Sequence, residues 1–169
     1  MRVGLLADTH DRVPAVAELV RQMVERGVGM VLHAGDYCSP FVLEPLERAQ
    51  VSLAGVFGRN DGDHQGLLAK AAAAFGAELY ESPHSVEVGG QRLLLVHDLG
   101  DSPRRSVEAH SVVLHGCSHR QQVVTRGDTL LVNPGEACGW VYGTPQAAIL
   151  DLDSLQVEFL SLDGPEWKF

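Results

Sequence analysis

Asp8 and His10 are the first side chains of the sequence that could hold a metal ion, and they follow a short apolar run at residues 2–7. Residues two apart on a strand point to the same side, so both side chains are expected to leave the strand end together. A carboxylate oxygen and an imidazole nitrogen so placed can both bind a borderline divalent ion. The structural alternative is a strand followed by a helix that Asp11 caps.

The same pattern recurs at four later points, where polar side chains again follow an apolar run. These are Gly35-Asp36, the loop at 58–63, His97-Asp98, and the sequence His115-Gly116-Cys117-Ser118-His119. In open α/β sheets the ligand crevice lies beyond the carboxyl ends of the strands. Acids and histidines at successive strand ends would therefore meet in one crevice. Loop polarity alone does not explain this recurrence, and the sequence predicts a metal site.

The first half of the chain alternates strands and helices. Strands are predicted at 2–7, 29–34 and 51–57, with a helix after Asp11 that ends at Gly27, a short helical segment after Pro40, and an Ala-rich helix at 67–75. This βαβαβα order is typical of a parallel sheet with helices on its faces.

After Gly76 the sequence predicts mostly strands. They fall near 85–88, 92–97, 111–115, 121–125, 129–132, 147–151 and 156–160, with a short helix after Pro103. Gly89-Gly90 and Arg126-Gly127-Asp128 indicate hairpin turns. We expect two packed sheets with helices outside, the first built from the βα half and the second from the later strands.

Length, composition and charge indicate which broad classes of protein the sequence can belong to. The 169 residues, 45% hydrophobic and 21% charged, predict one globular domain over 1–169. A net charge of -9 without any basic run argues against nucleic-acid binding by charge. The three widely spaced cysteines do not form a disulfide framework, and the sequence shows neither a signal-peptide core nor a membrane span. We therefore expect a cytoplasmic protein.

The ordered blocks resemble the calcineurin-like metallophosphoesterase superfamily, most closely its small prokaryotic phosphodiesterases, over essentially the whole chain. That family shows Asp-x-His, Gly-Asp, Gly-Asn, a lone His after a strand, and Gly-His-x-His. Asp8-Thr9-His10, Gly35-Asp36, His97 and His119 match in order, and the run at 132–136 looks like the subfamily's Asn-Pro-Gly turn. The resemblance implies a four-layer αββα sandwich, with two mixed β-sheets flanked by helices.

The resemblance also implies a site and an activity. Asp8, His10, Asp36 and His119 would hold the first metal, and Asp36 would bridge to a second. The reaction would be hydrolysis of a small phosphate ester, a phosphodiester rather than a monoester, by a metal-activated water. One or two divalent ions are expected per chain. Manganese is the first expectation and zinc, iron(II), nickel or magnesium the alternatives; a homo-oligomer is compatible with the sequence.

At the second metal the sequence departs from the family. Arg59 stands where the family has asparagine, and Cys117 stands where it has the first histidine of Gly-His-x-His. His97 remains, followed by Asp98 instead of the usual glycine. Arginine has no lone pair to offer and repels a nearby cation. Cys117 could bind as a thiolate, which prefers zinc or iron over manganese or magnesium.

These departures leave three interpretations open. In the first, which the motif register favours, the Arg59 guanidinium takes the place of the second ion and binds two phosphate oxygens, with His97 helping to stabilise them. In the second, Asn60 becomes a ligand and Arg59 points outward. In the third, the site has decayed and the chain is a protein-binding module, for which the retromer subunit of this fold is the precedent. Asp61 is expected to orient His10 or a bound water.

Overall fold

Eleven strands and four α-helices make up the fold of residues 1–168, the part of the chain that this computed structural model describes. In chain order they are β1 (Arg2–Leu6), α1 (Val13–Glu25), β2 (Met30–His33), α2 (Glu44–Arg48), β3 (Ser52–Val56), α3 (His64–Phe75), β4 (Leu79–Tyr80), β5 (His84–Val88), β6 (Gln91–Val96), α4 (Arg104–Glu108), β7 (Val112–His115), β8 (Gln121–Arg126), β9 (Thr129–Pro134), β10 (Gln146–Asp151) and β11 (Val157–Ser161). Three short 3₁₀ turns lie at Pro40–Leu43, Leu99–Asp101 and Pro165–Trp167.

The strands form two mixed sheets. The first has the order β11-β10-β1-β2-β3-β4, in which β1 to β4 are parallel, β10 runs antiparallel to β1, and β11 runs antiparallel to β10. The second has the order β5-β6-β7-β9-β8, with parallel β6, β7 and β9 between antiparallel edge strands. The expected division of the strands is wrong at the C-terminus, because β10 and β11 join the first sheet. β10 pairs with the free edge of β1 from Arg2↔Asp151 to Leu5↔Ala148.

Alternate side chains of the central strands separate the layers. On β1, Val3 and Leu5 face the second sheet and pack with Leu93 and Leu95 of β6, whereas Leu6 faces the α1 side. Helices α1, α2 and α3 cover that outer face, and Val107 of α4 covers the far face of the second sheet. Full burial of each such side chain contributes roughly 1.5–3 kcal/mol. The predicted four-layer αββα sandwich is therefore confirmed.

Two predicted turns and one predicted cap can be compared directly. Both hairpins are present, with Val88 pairing with Gln91 and Arg126 pairing with Thr129. The predicted cap is wrong: α1 starts after Arg12, which provides no side-chain cap. The Asp11 carboxylate instead accepts hydrogen bonds from the backbone N–H and hydroxyl of Ser39. None of the helices within residues 1–168 is long and apolar enough to cross a membrane.

Candidate metal centre

Four side chains converge at the carboxyl ends of β1, β2 and β7. One ligand atom from each of Asp8, His10, Asp36 and His119 lies within 4.8 Å of the others. His10 Nε2 is 3.4 Å from Asp36 Oδ2, and His119 Nε2 is 3.6 Å from Asp8 Oδ1. Both carboxylates are buried, Asp8 completely. The structure thus brings together the four residues that the resemblance assigned to the first metal.

The backbone that presents these four residues is left-handed. The φ angles are 51° at Asp8, 38° at His10, 62° at Asp36 and 60° at His119. Strand alternation was the wrong reason for expecting Asp8 and His10 side by side, because β1 already ends at Leu6. Left-handed non-glycine residues cost free energy, are uncommon, and cluster at functional sites.

Hydrogen bonds between two loops hold this conformation in place. Asp8 N–H donates to the Gly35 carbonyl at 3.1 Å, and the N–H groups of Thr9 and His10 both donate to the Asp36 carbonyl at 3.0 Å. A third loop approaches so closely that a side chain at Gly58 would place Cβ 2.3 Å from Asp36 Oδ1. The glycine of the Gly58-Arg59 block is therefore required by space, because a real Cβ does not fit there.

Asp61 organises the loop that carries Asp36. Its Oδ2 accepts from the backbone N–H of Asp36 at 3.2 Å and of Gly58 at 2.6 Å, and its Oδ1 accepts from Cys38 N–H at 2.8 Å. These bonds go to backbone amides, and none of them goes to His10. Within residues 1–168, Asp61 acts on the site through the backbone of Asp36, whereas the sequence predicted a contact with His10 or a water.

Two histidines have their outer ring nitrogen fixed by an acceptor. His119 Nδ1 donates to the buried Glu136 carboxylate at 2.7 Å, and His97 Nδ1 donates to the Ala34 carbonyl at 2.9 Å. Each Nδ1 therefore carries the proton, and the lone pair of Nε2 points inward. His97 Nε2 lies 3.5 Å from Asp36 Oδ2, so His97 borders the same site from the side of the predicted second metal.

The electrostatics of this cluster suit a cation. His10 Nε2 is buried and makes no hydrogen bond within the described residues, although it lies 3.4 Å from Asp36 Oδ2. Burial raises the pKa of Asp8 to about 6 and lowers the pKa of His10. Burial also raises the pKa of Asp36, but hydrogen bonds from Asn60 and the nearby histidines outweigh it and hold that pKa below its usual value. Two buried carboxylates and an unpaired imidazole nitrogen fit a divalent ion of borderline hardness.

On the second-metal side, Arg59 and Asn60 take different directions. Asn60 Nδ2 donates to Asp36 Oδ2 at 2.8 Å, and Asn60 N–H donates to Asp36 Oδ1 at 2.8 Å. The Arg59 side chain, 58% exposed, pairs with Asp98 Oδ2 at 2.6 Å and lies 3.8 Å from the Cys117 sulfur. Burial raises the pKa of Cys117, which favours the thiol in the metal-free protein. The guanidinium therefore lies beside Cys117 at the outer rim, and the Asn60 amide lies against Asp36.

Several supporting residues escaped the sequence prediction. Glu136 was assigned only to a turn, yet its carboxylate holds His119 and accepts from the backbone N–H groups of Val141 and Tyr142. The signal was an acid directly after the Asn-Pro-Gly turn. The thiol of Cys38 lies 3.3 Å from His10 Nδ1. His33, whose pKa burial lowers to about 3, accepts from Gly35 N–H through Nδ1 and supports the loop of Asp36.

Comparisons with known proteins show which family the chain resembles in sequence and fold. A phosphodiesterase from Methanocaldococcus jannaschii is 26% identical over 166 residues, covering 96% of this chain and 100% of that relative. The solved structure of an archaeal phosphodiesterase aligns with a TM-score of 0.86 at 26% identity, over 96% of this chain and 100% of its own. A variant of Vps29 from Entamoeba histolytica aligns with a TM-score of 0.66 at 18% identity, over 96% and 100%, and shares the fold alone. Because the family model for the calcineurin-like phosphoesterase superfamily domain matches residues 1–155, the chain belongs to that superfamily.

Proposed function

We propose that the protein is a metal-dependent phosphodiesterase that hydrolyses a small phosphate ester with water as the nucleophile. The observation that carries this proposal is the convergence of Asp8, His10, Asp36 and His119 around a buried, unpaired His10 Nε2. The name of the Methanocaldococcus jannaschii relative supports the ester class. The binding-module alternative gains nothing from this arrangement, because protein contacts do not require two buried carboxylates and two imidazole nitrogens that face them.

We infer that manganese is the ion this site binds. Two carboxylates and two imidazoles form a mixed oxygen and nitrogen set that suits manganese as well as iron or zinc. A bound divalent ion would act as a Lewis acid towards the phosphoryl oxygens and lower the pKa of water. Asp8, His10, Asp36 and His119 would hold it, with Glu136 fixing the orientation of His119.

His97 and Arg59 are the groups we assign to the phosphate. His97 is buried, and its Nε2 faces the site beside Asp36, where it can interact with a phosphoryl oxygen. Arg59 reaches the rim on a long, exposed side chain that Asp98 holds. Exchange of this ion pair for two parallel hydrogen bonds to a phosphate would neutralise charge as it develops in the transition state. Asp61 would act indirectly, by positioning Asp36.

The test measures metal content and turnover in the same preparation. Protein loaded with manganese is expected to hydrolyse bis(p-nitrophenyl) phosphate, and removal of the ion with a chelator should lower turnover by at least about a hundredfold. Re-addition of manganese should restore it. Protein that takes up no ion and shows no turnover with manganese, zinc or iron would overturn the proposal and leave the binding module.

Arg59→Asn is expected to raise the manganese content from about one ion per chain towards two. The substitution removes a cation that repels the second ion and restores an amide oxygen at the family's ligand position. The measurement is metal per chain by elemental analysis after equilibrium dialysis. Arg104→Asn, at an exposed arginine paired with Glu108 on α4, is the matched control. Two ions already present in the unaltered protein would contradict the idea that Arg59 replaces one.

Metal content also distinguishes the interpretation in which Asn60 binds a second ion from the one in which Arg59 replaces that ion. If Asn60 supplies a ligand to a second ion, Asn60→Ala should lower the metal content. If Arg59 replaces that ion, the metal content of Asn60→Ala should stay near one ion per chain.

A cytoplasmic location and a homo-oligomeric state stay predictions. The three free thiols, Cys38, Cys117 and Cys138, suit a reducing compartment. A second copy of the chain could cover the half-exposed side chains of Trp140 and Tyr142.

A further inference from the structure

His10 differs from the other histidines of the candidate metal centre in what its outer ring nitrogen contacts. His119 Nδ1 and His97 Nδ1 each lie against an acceptor oxygen, at 2.7 and 2.9 Å. His10 Nδ1 instead lies 3.3 Å from the sulfur of Cys38. Within residues 1–168, Cys38 is the one hydrogen-bond partner of the His10 ring. The orientation of this ring therefore depends on a thiol.

The inner nitrogen of His10 faces the site. His10 Nε2 lies 3.4 Å from Asp36 Oδ2, so an ion held by the four converging residues would take the lone pair of Nε2. A neutral imidazole carries one proton, which is then on Nδ1. The Cys38 sulfur is the atom in place to accept that proton. Metal-binding histidines almost always donate their outer N–H to an acceptor, and loss of this acceptor typically weakens metal binding about 10- to 100-fold.

The charges around Cys38 explain why an uncharged acceptor is favoured there. Burial raises the pKa of Cys38 to about 11, and the charges of Asp11, Asp61 and Asp36 act in the same direction. The sulfur is therefore part of a neutral thiol. A carboxylate in its place would add a fourth negative charge to this region and would be repelled by the other three. A sulfur atom accepts more weakly than an oxygen, but it fixes the ring without that repulsion.

The backbone holds Cys38 beside His10 without help from the sulfur. Cys38 N–H donates to Asp61 Oδ1 at 2.8 Å, and Asp11 N–H donates to the Tyr37 carbonyl at 3.2 Å. The φ angle of Cys38 is 76°, a left-handed value that costs free energy in a residue with a Cβ. A smaller side chain at this position should therefore leave the loop in place and remove only the contact with His10.

We propose that Cys38 is the positioning residue of His10: its sulfur accepts the Nδ1 proton of the metal-bound ring and holds Nε2 towards Asp36. The inference rests on the proposed metal-dependent function and adds a residue on which the affinity of that site depends. Cys38 acts through His10 and supplies no ligand of its own. A thiol outside the four ligands thus contributes to the strength of metal binding.

Substitutions at Cys38 that remove or keep the acceptor test this role. The manganese dissociation constant, measured by calorimetric titration, should rise about 10- to 100-fold in Cys38→Ala. Cys38→Ser keeps a hydroxyl acceptor and should stay within about threefold of the parent. Both variants keep a Cβ, so the backbone strain at this position is unchanged. Gln50→Ala, at an exposed glutamine with a left-handed φ of 55°, is the matched control and should bind manganese as the parent does.

A spectroscopic measurement distinguishes loss of the ring contact from a general loosening of the site. The full chain is labelled with nitrogen-15 histidine and loaded with zinc, which is diamagnetic and suits the same ligands. The Nδ1–H protons of His10 and His119 should both be protected from exchange with water in the parent and in Cys38→Ser. Cys38→Ala should lose the His10 signal and keep the His119 signal, because His119 is held separately by Glu136.

Each outcome of these measurements supports or overturns the role of Cys38. Parental manganese affinity in Cys38→Ala, or equal losses in the alanine and serine variants, would overturn it. Loss of the His119 signal along with that of His10 would also overturn it, because the substitution would then have disturbed the whole site. If the chain bound manganese but hydrolysed no ester, the proposed function would be wrong, and the affinities and ring protons would still decide the inference. A chain that took up no ion would overturn both.

Discussion

Replacement of Asp36 by asparagine is expected to lower kcat/KM for bis(p-nitrophenyl) phosphate by about a thousandfold, the equivalent of roughly 4 kcal/mol. Three side-chain nitrogen atoms lie close to Asp36 Oδ2. His10 Nε2 is 3.4 Å away, His97 Nε2 is 3.5 Å away, and Asn60 Nδ2 is 2.8 Å away. A neutral amide there removes the negative charge that a cation bound at this site would need. Manganese binding should weaken along with turnover.

The fold should survive this substitution. Most of the bonds that hold the loop of Asp36 are made by its backbone: its N–H donates to Asp61, and its carbonyl accepts from Thr9 and His10. The substitution weakens only the two bonds that Asn60 donates to the carboxylate. An asparagine can also tolerate the left-handed φ of 62° at this position. The thermal midpoint without metal should therefore shift by only a few degrees. Asp163→Asn, at an exposed aspartate, is the control, and an Asp36→Asn protein with parental turnover and metal content would refute the assignment of the site.

The sequence predicted which strand ends carry the chemistry, but it could not predict how the loops fold. Asp8 and His10 were expected together because strand residues alternate. They meet because Thr9 and His10 donate to the Asp36 carbonyl, a contact between loops that are distant in sequence. Short-range patterns identify elements, whereas left-handed loops depend on long-range hydrogen bonds that no local pattern encodes.

Long-range contacts also explain why the sequence did not predict the sheet position of the C-terminal strands or the direction of the Arg59 side chain. β10 and β11 were predicted as strands, but their place in the first sheet depends on which edge was free, and β1 offered one. Motif register put Arg59 at the second-metal position. The direction of its side chain depends on Asp98, which the sequence analysis noted only as a departure from glycine. The sequence thus predicted which residues border the site and which segments form strands, but it did not predict their hydrogen-bond and ion-pair partners.

Asp8→Asn is expected to stabilise the metal-free protein while it abolishes tight manganese binding. Burial raises the pKa of Asp8 from 3.8 to about 6. A carboxyl group with a raised folded-state pKa favours the folded state below its unfolded pKa, and that stability is lost as the pH rises through about 6. Two pKa units correspond to ~3 kcal/mol, which the ionised carboxylate costs the metal-free protein at pH 8. Asparagine stays neutral and can still accept from Cys117 N–H, so the variant should avoid most of this cost.

The measurement is the free energy of unfolding in denaturant, with chelator, at pH 4, 6 and 8. The variant should exceed the parent by about 2 kcal/mol at pH 8, and the difference should shrink towards zero at pH 4. His33, whose low pKa gives the opposite slope with pH, contributes equally to both proteins and cancels in the difference. With manganese at a hundred times its dissociation constant, the parent alone should gain about 2.7 kcal/mol, which reverses the order. A variant less stable than its parent at pH 8 with chelator would mean that the Asp8 carboxylate stabilises the folded chain without any ion, and the case for Asp8 as a residue kept for metal binding would fail.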